Sequence, residues 1–296
     1  MSREQREALD ALIRSAPRPE TPPTLAEERN GFAATFTRPV PDGVAARRTE
    51  LGGRPALELE PDGTAGRGRL LYLHGGGYVI GSVDTHAGLA GELARRAGLR
   101  TVLVDYRLAP EHVFPAAVED GVAAYRELLE SGVGAREIVL AGDSAGGGLS
   151  IATLVAARDA GLPMPAGVVV FSPWADLSLG GESIQGKEEA DPIFTAADVQ
   201  AYADRYAGAA DRANPLVSPV FADLAGLPPM LVQVGSNEVL LDDAVRLAAR
   251  AGRDEVDVTL EVAAGLPHVF QSNYGKLEEA DAAIGRVVRF VREVVG

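Results

Sequence analysis

Apolar and polar positions along this chain follow two alternating periods. Short, mostly apolar runs at Ala56–Glu60, Gly68–Leu73, Arg100–Val104, Glu137–Ala141, Gly167–Phe171, Met230–Val234 and Val256–Val262 predict β-strands. Between them, apolar residues recur at helical spacing over Thr85–Ala97, Ala116–Leu129, Ala145–Ala160, Asp243–Ala251 and Glu278–Val294. Strands that alternate with helices predict an α/β fold, a mostly parallel central sheet with helices on both faces. One connection breaks the rhythm. Phe171 and Met230 lie about 60 residues apart, several times the length of one crossover helix. Within that stretch, Thr195-Ala196-Ala197-Asp198 predicts a capped helix start running to about Tyr206. Ligands in open α/β sheets sit beyond the carboxyl ends of the strands, so residues of about 178–212 read as a helical cap over a site.

Composition narrows the class. At 296 residues and 46% apolar, the chain can bury a large core, and residues 1–296 read as one domain without repeats or low-complexity tracts. The first residues are polar, and no run approaches the roughly 18 apolar residues of a membrane span, so a cytoplasmic location is expected. A net charge of −14 opposes nucleic acid and anionic membranes as partners. With no cysteine, thiolate nucleophiles and thiolate metal sites are excluded. The last strand could offer an edge to a second copy, which leaves a homo-oligomer open.

The chemistry concentrates at three points. Gly142-Asp143-Ser144-Ala145-Gly146 lies between a predicted strand and a predicted helix. A sharp strand-to-helix turn there requires glycine on both sides and pushes Ser144 outward as a candidate nucleophile. Leu70 to Gly77 forms a strand ending in His74-Gly75-Gly76-Gly77. Bare glycine amides can converge on one oxygen, so Gly76 and Gly77, with Ala145 after the serine, are the candidate oxyanion donors. A serine hydroxyl needs a base, and the chain has four histidines. His74, His86 and His112 precede Ser144 and read as structural, His74 bracing the glycine loop. His268 follows both the serine and the last strand, where the nucleophile–acid–base chain order puts the base. The acid falls after Met230–Val234, where Glu238 and Asp242 are both candidates; Glu238 lies nearer the strand end, and Asp242 and Asp243 suit the first turn of a helix. Asp143 is expected to bond local backbone, and Asp105, Arg107 and Glu111 to form a buried polar network.

Together, His74-Gly75-Gly76-Gly77, Asp105-Tyr106-Arg107-Leu108-Ala109-Pro110-Glu111, Gly142-Asp143-Ser144-Ala145-Gly146-Gly147 and Pro267-His268-Val269-Phe270 resemble the hormone-sensitive-lipase-like family of bacterial α/β-hydrolase carboxylesterases. The likeness runs from about Leu70 to the C-terminus. It implies an α/β-hydrolase fold, Ser144 and His268 as nucleophile and base, and Gly76, Gly77 and Ala145 as oxyanion donors. The spacing of the family's two acidic residues selects Glu238, paired with Asp242, although an Asp is commoner at the first position. The resemblance also implies that the N-terminal 45 residues, two helices parted by a breaker from Pro17 to Pro23, supply the other half of the cap. Phe32, Phe36, Ile184, Phe194, Tyr202 and Tyr206 are then candidate pocket-lining groups. The expected substrate is a small neutral or apolar ester with a short- to medium-length acyl chain, cleaved without metal or organic cofactor.

Overall fold

The computed structural model describes residues 3–16, 23–64 and 68–296. Two helices, α1 (Arg3–Arg14) and α2 (Leu25–Phe36), precede a hairpin of β1 (Val44–Leu51) and β2 (Arg54–Pro61). The chain then runs β3 (Arg69–Leu73), α3 (Val83–Ala97), β4 (Arg100–Val104), α4 (Ala116–Glu130), β5 (Ile138–Asp143), α5 (Ala145–Asp159) and β6 (Gly167–Phe171). Beyond the insertion, which holds α6 (Ser183–Gly186) and α7 (Ala196–Ala207), come β7 (Met230–Gly235), α8 (Leu241–Arg253), β8 (Val258–Ala263) and α9 (Glu278–Val295). Among the described residues, eight strands form one sheet in the order β1-β2-β4-β3-β5-β6-β7-β8. Pairing is antiparallel from β1 to β2 and from β2 to β4, and parallel everywhere else.

Strand alternation builds a core on each face. Ile138 and Leu140 of β5, Val168 and Val170 of β6, and Met230 and Val232 of β7 pack with α4, α5 and α8. Their neighbours Val139, Ala141, Val169, Phe171 and Leu231 turn the other way, onto α3 and α9. On α9, Ala280, Ala283, Ile284, Val287, Val288 and Val291 form the buried stripe, at spacings of three and four. A further apolar cluster, which includes Leu73, Tyr78, Trp174, Ile184, Val199 and Tyr206, joins the elements around the carboxyl end of the sheet to the insertion. Among the described residues no helix is long and apolar enough to cross a membrane.

All seven expected strands are present, with ends shifted by a few residues, and α7 starts where the capping signal put it. Thr195 accepts from the Asp198 amide while Asp198 receives the Thr195 amide. The strand missing from the sequence reading is β1. Its side chains are mostly exposed, in a sequence, Val-Ala-Ala-Arg-Arg-Thr-Glu-Leu, without clear alternation. Its pairing with β2 over eight residues makes it a strand. Because β1 begins at Val44, the last two of the 45 residues assigned to the cap belong to the sheet. The expected breaker lies, for residues 17–22, outside the described residues.

Candidate active site

The register aligns the carboxyl ends of the central strands, with Asp143 opposite Phe171, Phe171 opposite Gln233 and Gly235 opposite Ala263. Gly76 and Gly77 follow β3 at this edge, Ser144 follows β5, Glu238 follows β7 and His268 follows β8. Ser144 stands between β5 and α5 at φ 52° and ψ −123°, a conformation costly to any residue with a Cβ. Its backbone is fixed on both sides. The amide donates to Phe171 O at 2.8 Å, and the carbonyl accepts from Gly148 and Trp174 amides at 3.1 and 2.9 Å.

The glycines around the serine are explained by contacts with backbone. A Cβ on Gly142 would lie 2.3 Å from Gly146 O, and one on Gly146 would lie 2.0 Å from Leu73 O and 2.4 Å from His74 O. The turn is therefore pressed against the end of β3, where the glycine loop begins. In that loop the Gly75 amide donates to Asp143 Oδ1 at 3.1 Å, and a Cβ on Gly75 would strike Asp143 Oδ2 at 2.1 Å. Gly76 and Gly77 have φ of 115° and 61°, and the loop closes with Val79 and Ile80 amides on Gly76 O. Among the described residues no acceptor takes the Gly76, Gly77 or Ala145 amide. Ala145 is also the first residue of α5, where the helix dipole adds positive potential.

Asp143 does not bond local backbone as expected; among the described residues its side chain meets only groups distant in sequence. Besides the distant Gly75 amide, it accepts from the Tyr72 hydroxyl at 2.7 Å and meets His86 Nε2 at 3.4 Å. Burial opposes its charge, but His86 and Tyr72 together hold its pKa below the usual carboxylate range. His74 behaves as a brace: Nδ1 donates to Gly75 O at 2.8 Å, and the ring stacks on Tyr106 with centroids 4.3 Å apart. Burial, aided by the neighbouring His86, pulls its pKa down to about 3, so the ring is neutral. The expected network of Asp105, Arg107 and Glu111 separates into three pairings. Asp105 receives the Val83 amide, Arg107 grips Asp120, and the half-exposed Glu111 pairs with Arg29.

His268, in the loop after β8, donates from Nδ1 to Glu238 Oε2 at 2.6 Å. The acceptor role of a carboxylate fixes the imidazole tautomer, with the proton on Nδ1. Glu238 is fully buried, and its other oxygen receives the Ser172 hydroxyl at 2.8 Å and the Gly235 amide at 2.7 Å. Burial disfavours a charged His268, but Glu238, then Asp191 and Asp143, outweigh it and raise its pKa above the ordinary value. Asp242 points elsewhere, to the Ser183 amide at 2.9 Å. Its neighbour Asp243 lies in the first turn of α8, as expected, yet is fully buried and fixes the Ala175 and Asp176 amides.

Ser144 and His268 are referred to one another through two adjacent residues of the β6 exit. Phe171 O takes the Ser144 amide, and Ser172 Oγ takes the Val269 amide at 3.0 Å while donating to Glu238. Ser172 was not apparent from sequence, since a lone serine after a strand carries no signal. Of the candidate pocket groups, Phe194 meets the His268 ring edge-on with centroids 5.2 Å apart, and the Tyr202 ring lies 2.6 Å from where a Gly77 Cβ would sit. Phe32 and Phe36 stack on each other at 4.3 Å. Ile184 and Tyr206 are buried, Tyr206 stacked on Tyr78 at 3.7 Å.

A buried Glu–His pair, a strained serine turn and a glycine loop share one sheet edge, and the likeness to known proteins agrees with them. A sequence model of an α/β-hydrolase fold family matches residues 70–272. The chain belongs to the hormone-sensitive-lipase-like family of bacterial α/β-hydrolase esterases. It is 46% identical over 227 residues to an acetyl-hydrolase of Streptomyces hygroscopicus, covering 77% of this chain and 76% of that one. With an ethyl acetate hydrolase of Pseudomonas putida it shares 35% identity over 233 residues, 76% of this chain and 72% of the relative. Among solved structures, an esterase of the bacterial hormone-sensitive lipase family superposes with a TM-score of 0.95 at 43% identity, over the full length of both chains. EstE5, in crystals soaked with p-nitrophenyl butyrate, matches with a TM-score of 0.95 and 43% identity over 99% of each chain. The protein is thus a carboxylic ester hydrolase of this family.

Proposed function

We propose that the esterase is a serine carboxylesterase for short- to medium-chain acyl esters, working through Ser144, His268 and Glu238 and an acyl-enzyme intermediate. The observation that carries this reading is the 2.6 Å bond from His268 Nδ1 to a Glu238 carboxylate that is itself fixed by two donors. That bond leaves Nε2 unprotonated, as a base for the serine hydroxyl requires. Ser144 Oγ attacks the ester carbonyl and His268 takes its proton, with Glu238 stabilising the imidazolium. The oxyanion is met by the free amides of Gly76, Gly77 and Ala145, each such donor contributing roughly 3 kcal/mol to the transition state. Collapse expels the alcohol with the proton from His268, and water repeats the sequence on the acyl-enzyme.

In this reading α1, α2 and residues of about 178–212 act as a cap. Its support is that Phe194 and Tyr202 of the insertion reach His268 and Gly77, and that Glu28 of α2 binds both Tyr202 and Arg205 of α7. The aromatic rings favour an apolar ester with no charge to neutralise.

The test is hydrolysis of p-nitrophenyl esters from acetate to palmitate by wild type, Ser144→Ala, Glu238→Ala and Asp242→Ala. Activity should peak at short chains, fall by about 10³-fold or more in Ser144→Ala, fall strongly in Glu238→Ala, and stay within severalfold in Asp242→Ala. A folded wild type inactive on the whole series would overturn the substrate class, and a severe loss in Asp242→Ala alone would overturn the acid.

A further inference from the structure

The insertion holds a second buried carboxylate, tied to the loop that bears Glu238. Asp191 is 2% exposed. Its Oδ1 accepts from the Ile193 and Phe194 amides at 2.8 and 3.0 Å, an arrangement by which aspartates commonly form turns. Turn formation does not account for Oδ2, which accepts from the Val239 amide at 2.8 Å, 48 residues away and next to Glu238. The same side chain therefore ties the insertion to the loop bearing the acid, and sets Phe194, whose ring edge faces His268. Among the described residues no Lys or Arg forms an ion pair with Asp191. The carboxylates whose negative charge raises the His268 pKa are Glu238, Asp191 and Asp143, and the last is already engaged with His86.

We propose that Asp191 is a positioning residue for ester hydrolysis: it clamps the Glu238 loop to the insertion and its charge is answered by His268 only when the imidazolium forms. The proposal rests on the Ser144–His268–Glu238 reading. A buried carboxylate with only amide donors around it is costly to keep charged, and burial accordingly raises the Asp191 pKa. Proton transfer from Ser144 Oγ to His268 Nε2 places a positive charge before it. That interaction is stronger in the transition state than in the resting enzyme, which is the condition for lowering the barrier. No additional reactant is involved, since the proton returns to the leaving alcohol.

The experiment is kcat and KM against pH for a short-chain p-nitrophenyl ester with wild type, Asp191→Asn, Asp191→Ser and Ser144→Ala, each checked for folding by its melting transition. Asp191→Asn keeps the turn acceptor but turns an amide toward Val239 N–H; Asp191→Ser keeps a turn-forming oxygen and is the substitute if the first variant fails to fold. Without the negative charge the His268 pKa falls, so the acidic limb of kcat/KM should move down by roughly half a pH unit or more. At the optimum kcat should drop about 10-fold with KM changed far less, because the lost interaction is made only after substrate binds. A purely structural turn residue would leave the limb in place. If a folded variant keeps its limb within about 0.2 pH units and its kcat within about twofold, Asp191 only shapes the turn and the proposal fails while the triad reading stands. Retained activity in Ser144→Ala would instead remove the triad reading, and this proposal with it.

Discussion

Ser172→Ala removes one oxygen that serves two loops, and its consequences can be worked through bond by bond. The hydroxyl donates to Glu238 Oε1 at 2.8 Å and accepts from the Val269 amide at 3.0 Å. Glu238 keeps the Gly235 amide and His268, so the loss on that side is one hydrogen bond to a charged group, about 1.5–3 kcal/mol. The Val269 amide is left without its acceptor at a cost of about 1–3 kcal/mol when buried. The two overlap, because the loop can relax toward water, and a net destabilisation of about 2–4 kcal/mol is expected. Val269 follows His268 directly and itself sits at φ 47°, so relaxation there displaces the imidazole. A shift of that kind should lower kcat on a short-chain ester by about 10- to 10²-fold. Ser172→Gly separates the terms. Ser172 has φ 44°, which glycine adopts without strain, so the glycine variant should be about 1 kcal/mol more stable than the alanine variant yet equally slow. The assay is equilibrium denaturation together with kcat for all three proteins. A Ser172→Ala enzyme within twofold of wild-type kcat and of unchanged stability would refute the argument.

The remaining predictions concern acidity and the turn glycines. With His268 as the proposed base, the reaction needs its neutral form, and since its pKa is raised in the folded chain the acidic limb of kcat/KM should lie above the ordinary histidine value of about 6.5. The sign for stability is opposite: a raised folded pKa gives stability that is complete below the unfolded value and is lost as pH climbs through the folded one. Activity should therefore rise across the same window in which His268, and His86 beside Asp143, release stability; parallel pH titrations of rate and melting point decide it. Gly146→Ala forces a Cβ to within 2.0 Å of Leu73 O, and since backbone must yield, stability should fall by about 1–3 kcal/mol and kcat by about 10²-fold. Gly285→Ala, in mid-α9 with nothing within 4 Å of the added Cβ, should instead stabilise by about 0.5–1 kcal/mol, measured by the same denaturation.

What could be read from the sequence was what local sterics impose. Gly142 and Gly146 are legible because the serine turn forbids side chains beside it, whatever the rest of the chain does. The central strands are legible because both their faces are buried, leaving short apolar runs. His268 and Glu238 are singled out by their positions after strands, and the structure joins the two by a hydrogen bond while Asp242 accepts from the Ser183 amide. β1 was hidden because an edge strand with solvent on its side chains has no burial pattern to betray it. Ser172, Asp191 and the true partners of Asp143 were hidden for a different reason. Each acts on an amide or side chain tens of residues away, and such pairings exist only once the sheet has brought its exits together. The dissolution of the Asp105, Arg107 and Glu111 group into separate pairs teaches the same point in reverse, since closeness in sequence did not bring one shared network.

The seating of α1 has a consequence for the order in which the protein is made. Arg6 donates to Ala264 O, 258 residues further along, and forms an ion pair with Glu279 of α9; Arg14 donates to the Glu189 and Ala190 carbonyls, next to Asp191. At a synthesis rate of about 5–20 residues per second, α1 emerges roughly a quarter of a minute to a minute before its last anchor exists. Through that interval Leu9 waits for the apolar cluster that receives it, which includes Leu266, Phe270 and Leu277. α1 is thus made before, and docks after, the elements that anchor it, and the stretch from Leu266 to Leu277 receives Leu9 only once it has itself been made.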